Sequence, residues 1–201
     1  TIGLASEALK DPDMQKDADG FNYYIGLINE ENKRLGMLVE NVLQASLAES
    51  GKMQLFKQTL NVHDLIREVV KNAAIQVRKH SGKVELDLEA EEPLVHADRV
   101  HLSNVVFNLV DNAIKYAEGD LVLSISSAQT TDGVELRFKD NGIGIAKEHL
   151  GKVFDRLYRV PTGNVHDVKG FGLGLSYVQT VIDRHQGCLL YTSDAADETG
   201  R

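Results

Sequence analysis

Apolar positions along this chain fall at helical spacing in some stretches and alternate with polar ones in others. From Phe21 to Glu49 the residues Ile25, Ile28, Asn32, Leu35, Val39, Val42 and Ser46 keep heptad steps of three and four. Leu38, Leu43 and Leu47 widen that face, which suits a four-helix bundle better than a two-stranded coil. One hairpin of helices cannot fill a four-helix core, so this segment is expected to dimerise. Thr1–Leu9 reads as the end of another helix, and Asp11-Pro12-Asp13 as the turn after it. Beyond Glu49-Ser50-Gly51-Lys52, Gln54–Asn61 is predicted as a strand and Val62–Lys79 as an amphipathic helix. Lys83–Leu88 alternates as a half-buried strand does, and Leu94–Asp98 reads as a short strand and turn. Asp98 is placed to cap a helix whose buried face is Leu102, Val105, Val106, Leu109 and Ala113. Leu121–Ser127 and Val134–Lys139 are predicted strands around the turn at 130–133. A last helix carries Leu175, Val178, Val181 and Ile182. The expectation is a mixed sheet with helices on one side, an α+β layer arrangement.

Candidate chemistry lies beside these elements. Asn108, Asn112 and Lys115 are three and four apart and form a polar stripe next to the apolar one. Carboxamide oxygens are hard ligands for Mg²⁺, and a lysine supplies a point positive charge for phosphate. Directly after a predicted strand comes Asp140-Asn141-Gly142-Ile143-Gly144-Ile145. Its glycines let backbone approach a flat ligand, and its carboxylate can accept from an exocyclic amine. Val153–Arg159 mixes two aromatics with two arginines, and the stretch from Pro161 to Lys169 is polar. Gly170-Phe171-Gly172-Leu173-Gly174-Leu175 then opens the last helix, and a glycine turn at a helix N-terminus suits a phosphate chain. It is neither a Walker loop, since no Gly-Lys-Ser/Thr follows, nor a good Rossmann fingerprint, since no strand precedes it. Taken singly, each piece also fits a solvated helix face or a plain Asp-Asn-Gly turn.

Composition narrows the classes. The 201 residues are 42% hydrophobic and 26% charged, a globular composition. A net charge of −8 argues against broad nucleic-acid binding, so an anionic ligand needs a local basic pocket. No run approaches a membrane span and no signal peptide opens the chain. No CxxC or HExxH occurs, and the seven histidines lack zinc-site spacing. The lone Cys188 excludes an internal disulfide.

Together, in this order, the four chemical stretches resemble the catalytic ATP-binding domain of bacterial two-component sensor histidine kinases, within the GHKL superfamily. Asn108–Tyr116 looks like the family's N box, Asp140–Ile145 its first glycine box, Phe154–Arg159 its F box and Gly170–Leu175 its second glycine box. The heptad helix looks like part of the dimerisation and phosphotransfer hairpin. The resemblance implies a two-layer α/β sandwich of the Bergerat type, preceded by a helical hairpin segment of a dimeric four-helix bundle. It implies that residues 1–53 are partial hairpin helices and residues 54–187 the ATP-binding domain. Asn112, with Asn108 beside it, would hold Mg²⁺, and Lys115 and Tyr116 would contact phosphate. Asp140 would accept from adenine, with Gly142 and Gly144 giving the ring room and Ile145 beside them. Gly170, Gly172 and Gly174, with Leu173 and Leu175, would shape the hinge of an ATP lid over 155–169. Arg159 would neutralise the γ-phosphate, while Phe154 packs the lid base. Asn108, Lys115 and Arg159 are the implied catalytic residues. The implied reaction moves the ATP γ-phosphate to a histidine, for relay to a response regulator receiver domain. The implied setting is the cytoplasmic portion of a membrane-anchored homodimer, touching the membrane only through a region before Thr1.

The alternatives are a GHKL-type ATPase and a nucleotide-binding or dimerisation module without catalysis. ATPases of the wider superfamily carry a water-activating glutamate at the position of Asn108, and an amide cannot be that base. The family's phosphoacceptor histidine has no counterpart here. His63, His80, His96, His101, His149, His166 and His185 all lie outside its box and are expected to be surface or capping residues. The segment is therefore expected to bind ATP without phosphorylating itself. After Gly187 the pattern departs from the family. Residues 188–201 look like read-through of a sequencing-library adapter, which would leave the sheet edge open and remove the meaning of Cys188.

Overall fold

The computed structural model describes residues 2–11, 17, 19–29, 31–32, 35, 53–160 and 172–192. The chain divides into two units, Thr1–Gly51 and Lys52–Arg201.

In the first unit α1 spans Ile2–Ala8, as the sequence predicts. A second helix, α2, covers residues 19–29, and Glu31, Asn32 and Leu35 are helical as well. The Asp17 side chain accepts from Gly20 N–H at 3.2 Å and so caps the start of α2. The rest of the predicted heptad helix, Val39, Val42 and Ser46 included, lies outside the described residues.

The second unit runs β1 (Gln58–Asn61), α3 (Val62–Lys79), β2 (Lys83–Leu88), β3 (Leu94–Ala97), α4 (Arg99–Tyr116), β4 (Val122–Thr130), β5 (Gly133–Asp140), α5 (Lys147–Leu150) and α6 (Gly174–Arg184). Side chains cap the starts of α3 and α4, the second at Asp98 as the sequence predicts. Asn61 Oδ1 accepts from His63 N–H at 2.9 Å and Asp64 N–H at 3.3 Å. Asp98 Oδ1 accepts from Val100 N–H at 3.0 Å and His101 N–H at 3.1 Å.

Two features depart from expectation. The strand predicted from Gln54 starts only at Gln58. Upstream, Phe56 N–H donates to Asp98 Oδ2 at 2.8 Å and not to a strand ladder, which ties the segment to the start of α4. The strands also form two sheets where one was expected. β1 and β3 pair antiparallel with each other, while β2, β4 and β5 make a mixed sheet with β2–β4 parallel and β4–β5 antiparallel.

Inward residues of β4 (Leu123 and Ile125) pack in one core with Leu65, Ile66 and Val69 of α3, Val106 and Val110 of α4, and Val178 and Val181 of α6. Each fully buried side chain of this size contributes about 1.5–3 kcal/mol over its exposed state. His63 is the polar tie into this core. Its Nε2 bonds Ser127 Oγ at 2.8 Å, and that oxygen also accepts from Ala90 N–H at 3.2 Å. The expectation of a surface histidine is corrected here: position 63 starts a helix whose first turn sits on the sheet, so the ring is buried. Among the described residues β5 pairs with β4 alone, and residues 187–192 form no strand. Leu189 nevertheless packs against the core.

Candidate nucleotide site

Helix α4 presents Asn108 and Asn112 half-buried, with Lys115 exposed at its last turn. Asn108 Nδ2 donates to Asn104 O, one turn back, at 2.8 Å. Its Oδ1 faces α6, and a Cβ added at Gly174 would lie 2.9 Å from that oxygen. Glycine is thus what lets the amide approach the first turn of α6. That turn has no side-chain cap on its N–H groups, which leaves it suited to anions. Lys115 Nζ pairs with the Asp111 carboxylate one turn before it.

The first glycine loop joins the same end of α4. Ile143 N–H donates to Tyr116 O at 3.0 Å, and Ala117 forms an isolated antiparallel bridge with Gly142. At Gly142 a Cβ would meet Tyr116 O at 2.8 Å and Asp140 Oδ1 at 2.6 Å, so no side chain fits. Gly144 has φ +68°, the left-handed region. Asp140 stands opposite Leu123 in the β4–β5 register. Residues directly opposite share a face of the sheet, so Asp140 projects to the helix side, as the buried Leu123 does. One of its oxygens accepts from Gly142 N–H at 2.8 Å.

The F-box stretch meets the second glycine box. Leu157 N–H donates to Gly172 O at 3.0 Å, and Leu157 itself is at φ +61° and 69% exposed. Gly172, at φ +68°, comes so close that a Cβ would lie 2.5 Å from Tyr158 O. Tyr158 OH bonds His149 Nδ1 at 2.8 Å. Phe154 is half-buried, its ring centroid 4.8 Å from that of Tyr191. Arg159 is exposed, Leu173 is buried and Leu175 half-buried. Gly170 and the stretch 161–169 lie outside the described residues.

All four stretches are therefore joined by contacts at their described residues: α4 to the first glycine loop, α4 to α6 through Asn108 and Gly174, and the F-box stretch to Gly172. Four further residues take supporting roles that the sequence did not assign to them, although His185 also caps α6 as expected. Asn104 and Asp111 serve Asn108 and Lys115 from one turn away, a spacing visible in the sequence. Asn141 bonds across the 118–122 turn, and His185 reaches Asp98 from 87 residues away; neither leaves a local signal. His185 Nδ1–H donates to Val181 O at 2.8 Å, and Nε2 accepts from Asp98 N–H at 2.9 Å. Burial alone would raise the Asp98 carboxyl. The N–H groups of His101, Phe56 and Val100, with the His101 ring nearby, outweigh it and hold the group below its ordinary value.

Residues 97–200 match the family described as histidine kinase-, DNA gyrase B-, and HSP90-like ATPase. The chain belongs to this family, whose nucleotide is ATP. It is 46% identical over 196 residues to the sensor protein RprX of Bacteroides fragilis, covering 96% of this chain and 38% of that protein. It is 34% identical over 155 residues to the adaptive-response sensory kinase SasA of Gloeothece citriformis, covering 76% of this chain and 39% of that one. The chain thus spans about two fifths of these relatives' length. Among solved structures, the Acinetobacter baumannii histidine kinase AdeS superposes with a TM-score of 0.71 at 25% identity, covering 96% of this chain and 87% of that one. The histidine kinase ThkA, solved in complex with the response regulator protein TrrA, superposes at 0.63 with 26% identity, covering 92% of this chain and 50% of that one. The α+β fold read from the sequence is that of these kinases.

Proposed function

We propose that this chain is the ATP-binding catalytic part of a sensor histidine kinase, which passes the γ-phosphate of ATP to a histidine outside residues 1–201. The observation that carries the reading is the amide of Asn108 at the N-terminal turn of α6, where a water-activating enzyme needs a carboxylate. A carboxamide at that position suits a site that binds ATP and protects it from water. Asn112, with Asn108, would hold Mg²⁺, a hard cation that accepts amide oxygens and keeps phosphate and water as its other ligands. When bound, the ion neutralises charge on the phosphates. Lys115, drawn from Asp111, contacts phosphate together with Tyr116. The α6 N–H groups, admitted by Gly172 and Gly174, add partial positive charge, and Arg159 stabilises charge in transfer. Asp140 accepts from the adenine amine, with Gly142, Gly144 and Ile145 around the ring.

The organisation belongs to the same reading: residues 1–53 as hairpin helices, 54–187 as the ATP-binding domain and 188–201 as a foreign tail. Ile25 and Leu35, on the predicted seam, are 37% and 45% exposed, which supports pairing with a second copy. The partner that follows phosphotransfer would be a response regulator receiver domain, a reading supported by the structure of ThkA in complex with the response regulator protein TrrA. Among the described residues no helix is long and apolar enough to cross a membrane. A cytoplasmic position beside a membrane anchor is part of the proposal.

The test is incubation of the chain with γ-labelled ATP. Bound ATP, little phosphate release and no acid-labile label on the chain are expected. Fast steady hydrolysis would replace the kinase reading with the ATPase one, and acid-labile label on any of the seven histidines would overturn the placing of the acceptor elsewhere.

A further inference from the structure

We propose that Asn141 is a positioning residue for base recognition, because its side chain staples the 118–122 turn to the first glycine loop and so fixes where Asp140 stands. The proposal rests on the reading of Asp140 as the adenine acceptor. Asn141 follows the last residue of β5, where the ladder ends. Its Oδ1 accepts from Val122 N–H at 2.8 Å, and its Nδ2 donates to Asp120 O at 2.9 Å and to Glu118 O at 3.3 Å. Its main chain binds the same turn: the N–H donates to Val122 O at 3.2 Å, and the carbonyl accepts from Glu118 N–H at 3.3 Å.

Both amide hydrogens are thus used, one on each of two carbonyls, and the oxygen is used on an N–H. The opposite amide orientation would set NH₂ against the Val122 N–H and the oxygen against both carbonyls, so the chemistry of the neighbours fixes the side chain. Aspartate would match the shape and fail the function, since it brings a negative oxygen to two carbonyl oxygens. Alanine would leave the turn held by main chain alone, with Gly119 at φ +75° inside it.

The turn joins α4 to β4, and the loop that Asn141 anchors contains Asp140 and Gly142. Asn141 thus adds a side-chain tie to the Ile143–Tyr116 bond and the Ala117–Gly142 bridge, and together they hold Asp140 in register with the end of α4. Phosphate binding draws on α4 and the α6 N-terminus, to which Asn141 makes no bond. Loss of the amide should degrade recognition of the base more than of the phosphates.

The experiment compares the 201-residue chain with its Asn141→Ala and Asn141→Asp variants, first by amide hydrogen exchange without nucleotide, then by titration with Mg·ATP and Mg·GTP. In both variants the Val122 and Ile143 amides should exchange at least about tenfold faster while Ile125, in the central strand, keeps its protection. ATP affinity should fall about tenfold and GTP affinity less than about threefold, so that base preference shrinks. Unchanged exchange in the variants, or an Asn141→Asp variant equal to the native chain, would overturn the staple. Faster exchange with an intact base preference, or parallel loss of ATP and GTP together with Ile125 protection, would leave only a structural residue and overturn the positioning role. A native chain with no preference for ATP would instead refute the adenine reading of Asp140, and the exchange data would still report on the staple.

Discussion

At the scale of single residues, Asp98 does more than cap a helix. It takes three N–H groups, from Phe56, Val100 and His101, and binds the segment before β1 to the start of α4. Asp98→Ala should lower stability by about 2 kcal/mol, a lost cap plus an orphaned N–H, measured by urea unfolding. Its carboxyl is held below the ordinary 3.8, so its contribution is present above that value and lost as pH falls through the folded-state value. His63 titrates in a different window. Burial, then the Arg67 charge, lower its pKa below 6.5, against a smaller pull upward from Asp64. Below 6.5 the unfolded chain takes up a proton that the folded ring resists, so stability is full above 6.5 and declines as pH drops toward the folded value. The His63→Gln variant should show a flatter stability profile as pH falls below 6.5. An equal slope in both proteins would mean that other groups carry the acid loss.

At the scale of elements, periodicity and caps made most of the second unit legible. Val62–Lys79 and Lys83–Leu88 have the bounds the sequence predicts, because a helical pattern marks the first and a clean alternation the second. The start of β1 was not legible, since it depends on a carboxylate 42 residues away that takes the Phe56 N–H. Separation of β1–β3 from the larger sheet is likewise a matter of tertiary pairing, with no mark in either four-residue strand. The glycines of the site were legible as a pattern, and their reasons differ. Gly174 admits the Asn108 oxygen, while Gly172 needs both a left-handed φ and room beside Tyr158. Gly172→Ala should therefore lower stability by more than about 1 kcal/mol in thermal unfolding, because strain and a 2.5 Å approach add. A change within error would show that the 157–172 junction yields.

At the scale of the whole molecule, the four chemical stretches are spread over residues 108–175 of the second unit, and each fits a bland alternative by itself. The fold supplies the argument that no local spacing does. It sets Asp140 on the helix side of the sheet, closes Gly142 onto the end of α4, and brings Asn108 against α6. The candidate residues were legible because their types and order are particular. Their supports were not, since Asn141 and His185 act across the chain through hydrogen bonds that no periodicity announces. The central claim is that these surfaces make one site for Mg·ATP, with Asn112 on α4 as its metal-facing residue. Calorimetric titration of the chain and of its Asn112→Ala variant with ATP, with and without Mg²⁺, tests it most directly. The account predicts one saturable site in the native chain, tightened by Mg²⁺, and a loss of at least about tenfold in the variant at unchanged thermal stability. No binding by the native chain, or equal Mg²⁺-dependent binding by both proteins, would contradict it.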